Sequence, residues 1–283
     1  MVVISVWTRK GGTGKTSVTF HLAGCLSQFL NKKVLVIDCD AQCNLTSLFT
    51  QAIQKPDLKR TLKDYIDGTE SVGSVLRKFS FYRIPGRRYC AEMRGAVQKE
   101  DVVLEEEPRS LWKCNISLIP GDKDLDSVKF NDMNILRDMV DELNYDYVLL
   151  DCPPAVSSAT IAALAASDYV LAPLEPSTYS LDGYSTLIDN ITEMQINGYP
   201  VRLLGVVFNK VPANETVPAE IIAQMREITK SDNVIFDQEI SRTSVQEKTV
   251  AYGMPVGVFD ALSKYGTQFV GLANELDKKV TRR

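Results

Sequence analysis

A glycine-rich stretch with two lysines, RKGGTGKTS from Arg9 to Ser17, is the part of the sequence best suited to phosphate chemistry. It follows a short apolar run, Val2 to Trp7, and precedes a segment with helical spacing. A strand that ends in such a turn and opens into a helix directs several backbone N–H groups at one point, which suits a phosphate chain. The sequence therefore predicts a nucleotide-binding loop, called the phosphate loop below.

The residue types in the phosphate loop fit separate parts of a bound nucleotide. Its three glycines lack a Cβ, so the backbone can adopt positive φ and close tightly on phosphate oxygens. Lys15 would place its ammonium among the β and γ phosphate oxygens, and the Thr16 hydroxyl is suited to hold Mg²⁺. The residues expected to contact the nucleotide here are Lys10, Gly11, Gly12, Thr13, Gly14, Lys15, Thr16 and Ser17.

A second lysine sets this loop apart from the ordinary P-loop pattern G-x-x-x-x-G-K-[ST]. Arg9 stands where that pattern has its first glycine, and Lys10 lies five residues before Lys15. A loop that wraps one phosphate chain has little room for two lysines from the same subunit. We therefore expect Lys10 to point outward, toward a nucleotide held by a second copy of the protein; the alternative for such a stretch is a solvated turn.

Two strand-like runs end in aspartate. Val34 to Ile37 is followed by Asp38 and Asp40, and Tyr147 to Leu150 by Asp151. Open α/β sheets place their ligands at the carboxyl ends of strands, so these carboxylates are expected near the phosphate loop. Either Asp38 or Asp40 would position attacking water while the other supports the Mg²⁺ shell or the loop lysine, with helix N-capping as the alternative role. Asp151 would hold Mg²⁺ directly or through a water, and the predicted metal ligands are Thr16, Asp38 and Asp151.

Composition bounds the class of protein. The chain has 283 residues and a net charge of −4, so no global attraction to nucleic acid or to an anionic membrane is expected. Its six cysteines form no C-x-x-C pair and only one histidine accompanies them, which favours small apolar residues in a reducing cytosol over a zinc site. No secretory signal pattern or apolar run long enough to span a membrane is found, so we expect a cytoplasmic protein.

Apolar runs and helical segments alternate along the chain, with no internal repeat. This predicts one domain over residues 1–283, with a single doubly wound, mostly parallel sheet flanked by helices and a charged insertion at about residues 77–107. Helices with intervening loops are expected from Asn44 to about Phe79. Another helix is expected from Leu125 to Leu143, and a short strand from Val234 to Phe236.

Residues Arg77 to Lys99 form a basic stretch in which seven Lys and Arg residues accompany one acid, Glu92. Aromatic residues are interleaved with them, and such a run can bind the backbone and bases of nucleic acid. The favoured alternative is a surface hairpin neutralised by the acidic run from Glu100 to Glu107, because charge runs usually lie on solvated surfaces. The basic residues are Arg77, Lys78, Arg83, Arg87, Arg88, Arg94 and Lys99, and the aromatic ones Phe79, Phe81, Tyr82 and Tyr89.

The last segment has the spacing of an amphipathic helix. Such a helix can lie on a membrane. Its apolar face has no tryptophan and the segment carries the acids Glu275 and Asp277, so packing against the protein body is favoured and no membrane partner is expected. The apolar positions are Phe269, Leu272, Ala273, Leu276 and Val280.

Taken together, these motifs make the sequence resemble the ParA/MinD family of deviant Walker A ATPases, and within it the ParA (Soj-type) branch. The resemblance covers nearly the whole chain, and the lysine directly before the double glycine separates the family from ordinary P-loop proteins. Its motifs are KGGTGKTS at Lys10 to Ser17, VLVIDCDAQCN at Val34 to Asn44, LIPG at Leu118 to Gly121, DCPP at Asp151 to Pro154 and YGMP at Tyr252 to Pro255.

The resemblance implies a P-loop NTPase fold with ATP and Mg²⁺ as cofactors. It implies that Lys10 crosses to the partner's ATP in a sandwich dimer, that Asp40 orients the attacking water and that Asp151 is the Walker B acid. Lys10, Lys15 and Asp40 are then the catalytic residues. Asn209 resembles the family's adenine-contact asparagine. Arg242 lies in Ile240-Ser241-Arg242, where the family often has Ile-Pro-Arg near surfaces implicated in DNA binding, and Ala41 replaces a common proline.

The function implied by the resemblance is an ATP-driven switch. ATP would link two subunits, the homodimer would bind DNA without sequence preference on the nucleoid, and a ParB-like partner would stimulate weak hydrolysis to ADP and phosphate in plasmid or chromosome partition. One alternative is the positioning of a protein cargo by the same cycle. Another is a MinD-like membrane-associated regulator, and a third an electron-transfer ATPase of the nitrogenase iron-protein type, whose cysteines are not matched here.

Overall fold

The computed structural model of the protein describes residues 1–53, 56–83, 89–94 and 112–281. Strands and helices alternate along the described chain. The strands are β1 Val2–Val6, β2 Val34–Asp38, β3 Arg77–Arg83, β4 Tyr89–Arg94, β5 Trp112–Ile119, β6 Tyr147–Asp151, β7 Tyr169–Leu174 and β8 Arg202–Phe208. The helices are α1 Lys15–Leu30, α2 Asn44–Thr50, α3 Leu62–Ile66, α4 Val72–Val75, α5 Ile135–Asp141, α6 Ser158–Ala166, α7 Ser180–Ile196, α8 Thr216–Ile228, α9 Ser244–Tyr252, α10 Val256–Asp260 and α11 Lys264–Thr281.

The described strands form one eight-stranded sheet in the order β4-β3-β5-β2-β6-β1-β7-β8. From β5 to β8 every neighbouring pair is parallel, whereas β3 pairs antiparallel with both β4 and β5. Strands β2, β6 and β7 are buried along their whole length, which is why their sequences read as continuous apolar runs. The predicted doubly wound, mostly parallel sheet is confirmed.

Two hydrophobic cores lie on opposite faces of the sheet. One joins residues of α5, α6 and α7 to the sheet, and the other joins residues of α1, α10 and α11 to it. Alternate residues of a strand therefore enter different cores; in β2, Leu35 and Ile37 belong to the first and Val34 and Val36 to the second. The central strands are thus held rigidly, and their carboxyl ends provide a fixed frame for a site.

Several predicted elements differ from the structure. The helical pattern expected to run to Phe79 ends earlier, because Arg77–Arg83 is β3. The single helix expected from Leu125 to Leu143 is wrong: a short 3-10 turn covers Leu125–Ser127 and α5 covers only Ile135–Asp141. Near Val234, the predicted strand is reduced to one parallel bridge between Ile235 and Val206.

The basic stretch is built into the main sheet. Residues 77–83 and 89–94 form an antiparallel pair at its edge, as the hairpin alternative predicts, while residues 84–88 and 95–111 lie outside the described part. Phe79 and Phe81 are buried in the core rather than available to stack on bases. Arg77 is also buried, 2% exposed, and its guanidinium donates to the backbone carbonyls of Asp57 at 2.9 Å and Ser74 at 2.7 Å. Solvation of the whole run was therefore a wrong expectation for Arg77.

The terminal helix α11 packs on the body, as predicted. Phe269, Leu272, Ala273 and Leu276 are fully buried in the core shared with α1. Within the described residues, none of the helices combines the length and apolar character needed to cross a bilayer. The expectation for the cysteines also holds where they are described: Cys25, Cys39, Cys114 and Cys152 are buried free thiols and Cys43 is half-buried.

Candidate functional site

The phosphate loop connects β1 to α1 and uses glycine where the backbone requires it. Gly12 and Gly14 have φ values of 77° and 90°, in the left-handed region that favours glycine. A Cβ on Gly14 would lie 2.2 Å from Nδ2 of Asn209. Just before the loop, Trp7 is fully buried, and its indole N–H has no hydrogen-bond partner among the described residues. The loop conformation therefore depends on the close packing of Asn209 and Trp7 as well as on the glycines.

Lys15 is a largely buried cation at the start of α1. It is 7% exposed, and its ammonium donates to the backbone carbonyl of Lys10 at 3.3 Å. Burial lowers the pKa of Lys15, against the opposing effect of nearby Asp151 and Asp40. This ammonium is largely removed from water and held within the loop, so it is placed to bind a phosphate oxygen.

Lys10 has the opposite environment from Lys15. It is exposed, and its ammonium donates only a long hydrogen bond, 3.5 Å, to the hydroxyl of Ser177 beyond β7. The two lysines therefore leave the loop in different directions, as expected if they serve different nucleotides. Contact between Lys10 and a second copy of the chain stays a prediction.

Asp38 and Asp151 occupy paired positions on the neighbouring strands β2 and β6. Asp38 is fully buried, and its carboxylate accepts hydrogen bonds from the Thr46 hydroxyl at 2.7 Å and the Thr46 backbone N–H at 2.8 Å. Burial raises the pKa of Asp38 to about 6, although those hydrogen bonds lower it. On the far side, a Cβ on Gly121 would lie 2.9 Å from the Asp38 carboxyl carbon, so this carboxylate is enclosed.

Asp151 has a carboxylate oxygen that the described chain leaves unsatisfied. Its Oδ1 accepts a long hydrogen bond, 3.4 Å, from the Thr19 hydroxyl, whereas its buried Oδ2 has no hydrogen-bond partner among the described residues. Burial and the nearby charge of Asp38 raise the pKa of Asp151 well above its ordinary value, and a hydrogen bond from Thr16 opposes this. A buried unpaired carboxylate oxygen costs free energy unless a cation or a donor satisfies it.

These oxygen atoms fit a Mg²⁺ ion whose remaining ligands are water molecules and phosphate oxygens. Asp151 offers a free oxygen and Thr16 lies beside it, within hydrogen-bonding reach. Both donors of Thr46 engage Oδ2 of Asp38, and the backbone N–H of Asp40 donates a long hydrogen bond, 3.3 Å, to its Oδ1. Binding of Mg²⁺ by Asp38 stays a prediction. The described residues contain no group of three or more acidic, histidine or cysteine side chains arranged to hold a metal without a ligand's help.

Asp40 lies at the mouth of the site. Its half-buried carboxylate accepts the backbone N–H of Gln42 at 2.9 Å, and it lines an open cavity of about 410 Å³ together with the phosphate loop. The N-cap alternative does not apply to Asp40, because Cys43 occupies the capping position of α2. Asp38 instead accepts the N–H of Thr46 in the first turn of that helix. Asp40 thus keeps access to solvent and to a bound ligand.

Asn209, predicted to contact adenine, lies directly against the loop. It is 1% exposed, and its Nδ2 donates to the carbonyl of Thr13 at 2.8 Å. In this arrangement the amide braces the loop, and a contact between Asn209 and adenine stays a prediction. Thr13 is itself buried, and its hydroxyl has no hydrogen-bond partner among the described residues.

Three further residues that contact the site were not singled out from the sequence. Lys210 donates to the carbonyl of Gly12 and pairs with Glu175 at 2.7 Å. Gln246 in α9 donates to the hydroxyl of Ser17 at 3.2 Å, across 229 residues of sequence. Thr46 joins Asp38 to the backbone N–H of Gly121, from which its hydroxyl accepts at 2.9 Å. Of these three residues, only Lys210 could have been predicted from the sequence, because it directly follows Asn209 at the end of a strand.

Comparison with protein families gives a match that spans most of the chain. The model of the AAA domain matches residues 1–200. An uncharacterized protein of Methanocaldococcus jannaschii is 30% identical over 96% of this chain and 97% of its own length. The sporulation initiation inhibitor protein Soj of Bacillus subtilis is 24% identical, with 97% of each chain covered. The chromosome partitioning protein ParA of Myxococcus xanthus is 25% identical, with 99% and 89% covered.

Solved structures share the fold across nearly the whole length. The McdA–ATP complex from Cyanothece superposes with a TM-score of 0.73 at 21% identity, covering 99% of this chain and 96% of McdA. The cell division ATPase MinD of Pyrococcus furiosus gives 0.69 at 23% identity, with 98% of each chain covered. Cobyrinic acid a,c-diamide synthase of Mycobacterium smegmatis, with bound ATP analogue and magnesium, gives 0.69 at 19% identity and covers 97% and 93%.

Proposed function

This chain belongs to the AAA-domain family and, within it, to the ParA/MinD group of ATPases on the ParA/Soj branch, and from that premise we propose that it is an ATP-dependent dimerising switch. It binds ATP with Mg²⁺, hydrolyses it slowly to ADP and phosphate, and uses the cycle to bind and release DNA. A stimulating partner protein sets the time of release. The biological use is plasmid or chromosome partition in the cytoplasm, on the nucleoid.

One observation carries the proposal: the phosphate loop holds two lysines in different environments. Lys15 is buried within the loop, whereas Lys10 is exposed and donates a long hydrogen bond to Ser177. A metabolic ATPase that works as a single subunit needs only the first of these lysines. An exposed second lysine beside the same phosphates serves a nucleotide in a facing copy, and so makes dimerisation depend on ATP.

The described residues divide the chemistry of the site among them. Bound Mg²⁺ would supply a positive charge that neutralises the phosphate oxygens, held by Thr16 and the free oxygen of Asp151. Lys15 and the backbone N–H groups of the loop bind the phosphate chain. Asp40 orients the attacking water, since its carboxylate reaches the cavity from the solvent side. Asp38 keeps the end of β2 and the start of α2 in place through Thr46.

The MinD-like membrane alternative loses its main structural support in this chain. The apolar face of α11 that would enter a bilayer is already buried against α1. Its acidic residue Asp277 also pairs with Lys32 at 2.8 Å and accepts the hydroxyl of Tyr147 at 2.7 Å, which fastens the helix to the sheet. Releasing this helix would expose a large part of one hydrophobic core, so we do not propose a membrane partner.

The proposal is tested by a DNA gel shift with ATP, with ADP and without nucleotide, run beside size-exclusion chromatography under the same three conditions. We expect a dimer and a DNA complex with ATP only. Lys10→Ala should abolish both while leaving ATP binding to the monomer intact, because Lys15 remains in the loop. Lys129→Ala, at an exposed position outside the site, is the control. A Lys10→Ala protein that still dimerises with ATP would overturn the scheme.

A further inference from the structure

Among the described residues, no helix packs on one face of the sheet where β3, β4 and β5 form its edge. The helices that pack on β3 and β5 are chiefly α1 and α10, and both belong to the core on the opposite face. The uncovered face carries the alternate residues of each strand: Lys78, Ser80 and Tyr82 from β3, opposite Ser117, Asn115 and Lys113 from β5. The pairs that β3 makes with β4 and β5 are antiparallel, and antiparallel sheets can leave one face open to solvent, so this face is accessible to a ligand.

A groove of about 570 Å³ runs along this uncovered face. Three lysines line it, Lys33, Lys78 and Lys113, and the described lining residues include no aspartate or glutamate. We call it the lysine groove. Lys33 precedes β2, so the groove lies toward the amino end of the parallel strands, whereas the phosphate loop lies at their carboxyl end. The lysine groove is therefore separate from the nucleotide site.

The polar groups between these lysines are of the types that bind phosphate and sugar oxygens. Ser80 and Asn115 are joined across the two strands by a 2.7 Å hydrogen bond, and Tyr145 and the buried Ser117 also line the groove. Lysines, hydroxyls and amides are the usual partners of a nucleic-acid backbone, which they position without reading sequence. This donor-rich composition favours a polyanion over an apolar ligand.

Strand register continues the same face onto β4, the edge strand of the described sheet. Opposite Lys78 and Ser80, β4 carries Arg94 and Glu92, so the register positions add one basic residue and one acid. Antiparallel strand pairs of this kind have the dimensions to lie along a groove of duplex DNA. The protein as a whole has a net charge of −4, so the three lysines of the groove are a local arrangement and do not reflect general basicity.

We propose that the lysine groove contacts the phosphate backbone of duplex DNA through Lys33, Lys78 and Lys113. This rests on the DNA binding proposed above and assigns it a surface, since the face is uncovered, is cationic in its described lining and is bordered by an antiparallel strand pair. The site lies at the opposite end of the sheet from the phosphate loop. DNA and nucleotide can therefore be bound at the same time by one subunit.

Salt dependence gives the test. Each phosphate contact made by a lysine releases counterions and adds about 0.9 to the slope of log affinity against log salt concentration. The triple variant Lys33→Gln, Lys78→Gln, Lys113→Gln should therefore reduce that slope by roughly 2.7, and weaken binding on the order of 10- to 100-fold at low salt. Binding is measured by fluorescence anisotropy with a random-sequence duplex and a non-hydrolysable ATP analogue.

A matched control has the same change in net charge. Lys129, Lys230 and Lys264 are exposed and do not line the groove, so their triple Gln variant should keep the wild-type slope. Both variants should keep the wild-type melting temperature and ATP-dependent dimerisation, which shows that a weaker complex is not a folding defect.

The outcomes separate this inference from the proposed function. Wild-type protein that binds no DNA in any nucleotide state overturns DNA binding and this site with it. Wild-type protein that binds with ATP while the groove variant keeps its slope overturns the lysine groove alone. A third outcome is a groove variant that keeps the wild-type slope of log DNA affinity against log salt concentration and yet loses stimulation of its ATP hydrolysis by the partner protein. That result would assign the groove to an acidic protein surface and would also overturn the inference.

Discussion

The two ends of the central sheet carry their cations in opposite ways. At the carboxyl end, Lys15 is 7% exposed and is held by a loop carbonyl among buried carboxylates. At the amino end, Lys33 and Lys78 are exposed and line a groove on a face where the described chain places no helix. A buried cation acts at one fixed point and depends strongly on its neighbours, whereas exposed cations act additively and are screened by salt. The difference suits one end to chemistry and the other to docking on a polymer.

Within β3 the same contrast appears between two adjacent residues. Arg77 is buried and satisfies backbone carbonyls of the preceding loops, whereas Lys78 lies on the uncovered face. Strand geometry alone produces this difference, because successive side chains point to opposite faces. Adjacent basic residues of this run therefore differ in role: one stabilises the fold and the next lies on the surface.

The largest effect is expected at the carboxyl end. Asp151→Asn should reduce ATP hydrolysis on the order of 10²- to 10³-fold, because a charged oxygen that fits Mg²⁺ is lost. Without nucleotide, the same change should raise the free energy of unfolding by up to about 2 kcal/mol, since Asp38 loses a buried like charge beside it. Phosphate release and urea denaturation measure the two. Unchanged turnover would break the assignment of chemistry to this end.

Replacing Arg77 tests whether the basic run has a structural member. Arg77→Met should lower the free energy of unfolding by about 2–4 kcal/mol, because the buried carbonyls of Asp57 and Ser74 lose their donors. Lys78→Met, one residue later, should change stability by no more than about 0.5 kcal/mol. Denaturant titrations compare them. Equal losses at both positions would remove the distinction within β3.

A smaller effect concerns His21, the histidine of α1. Burial lowers its pKa to about 3; its Nδ1 accepts the N–H of Val256 at 3.1 Å, and its Nε2 lies 3.2 Å from the Thr249 hydroxyl. In the unfolded chain His21 has a pKa of about 6.5, so below that pH the unfolded state binds a proton that the folded state does not. The contribution of neutral His21 to stability is therefore fully present above about pH 6.5 and is lost as pH falls toward about 3.

The measurement for His21 is the pH dependence of unfolding. Between pH 6 and pH 4 the wild type should lose up to about 1.4 kcal/mol per pH unit more than His21→Asn, whose amide oxygen can still accept from Val256. Only the difference between the two slopes counts, because carboxylates contribute equally to both. Equal pH dependence of the unfolding free energy in the two proteins would show that folded His21 binds a proton as readily as unfolded His21, and that water reaches its ring.

The smallest effect is expected at the amino end from a single exposed lysine. Lys33→Gln should lower the slope of log DNA affinity against log salt by about 0.9 and leave stability unchanged. The matched change Lys129→Gln should leave the slope as it is. A slope loss well above one contact for Lys33 alone would mean that the lysines act together, unlike the additive behaviour expected of exposed charges.

Much of the fold could be predicted from the sequence, because most strands of the sheet are buried on both faces and so form continuous apolar runs. The apolar runs Val34 to Ile37 and Tyr147 to Leu150, which end in Asp38 and Asp151, form the neighbouring strands β2 and β6 in register. The phosphate loop was readable for a different reason: its glycines and lysines are adjacent in sequence, so local backbone geometry defines the site.

What escaped prediction depends on contacts between distant parts of the chain. Nothing in the local pattern says that Thr46 will hold Asp38, or that Gln246 will reach Ser17. The helix expected from Leu125 to Leu143 also failed, because its apolar residues enter the core from a 3-10 turn and a shorter helix. Packing decided those elements, and periodicity alone does not report packing.

Trp7 is fully buried at the base of the phosphate loop, its indole N–H has no partner in the described part of the chain, and it gives the protein an optical property. Buried indole groups usually find a hydrogen-bond partner, and one without it emits at short wavelength and responds to small changes in the surrounding field. The chain has two tryptophans, so a Trp112→Phe protein would retain Trp7, one residue before Thr8, as its single tryptophan, which can be excited selectively over the eleven tyrosines. Its emission would follow loading of the loop in real time, with no dye attached.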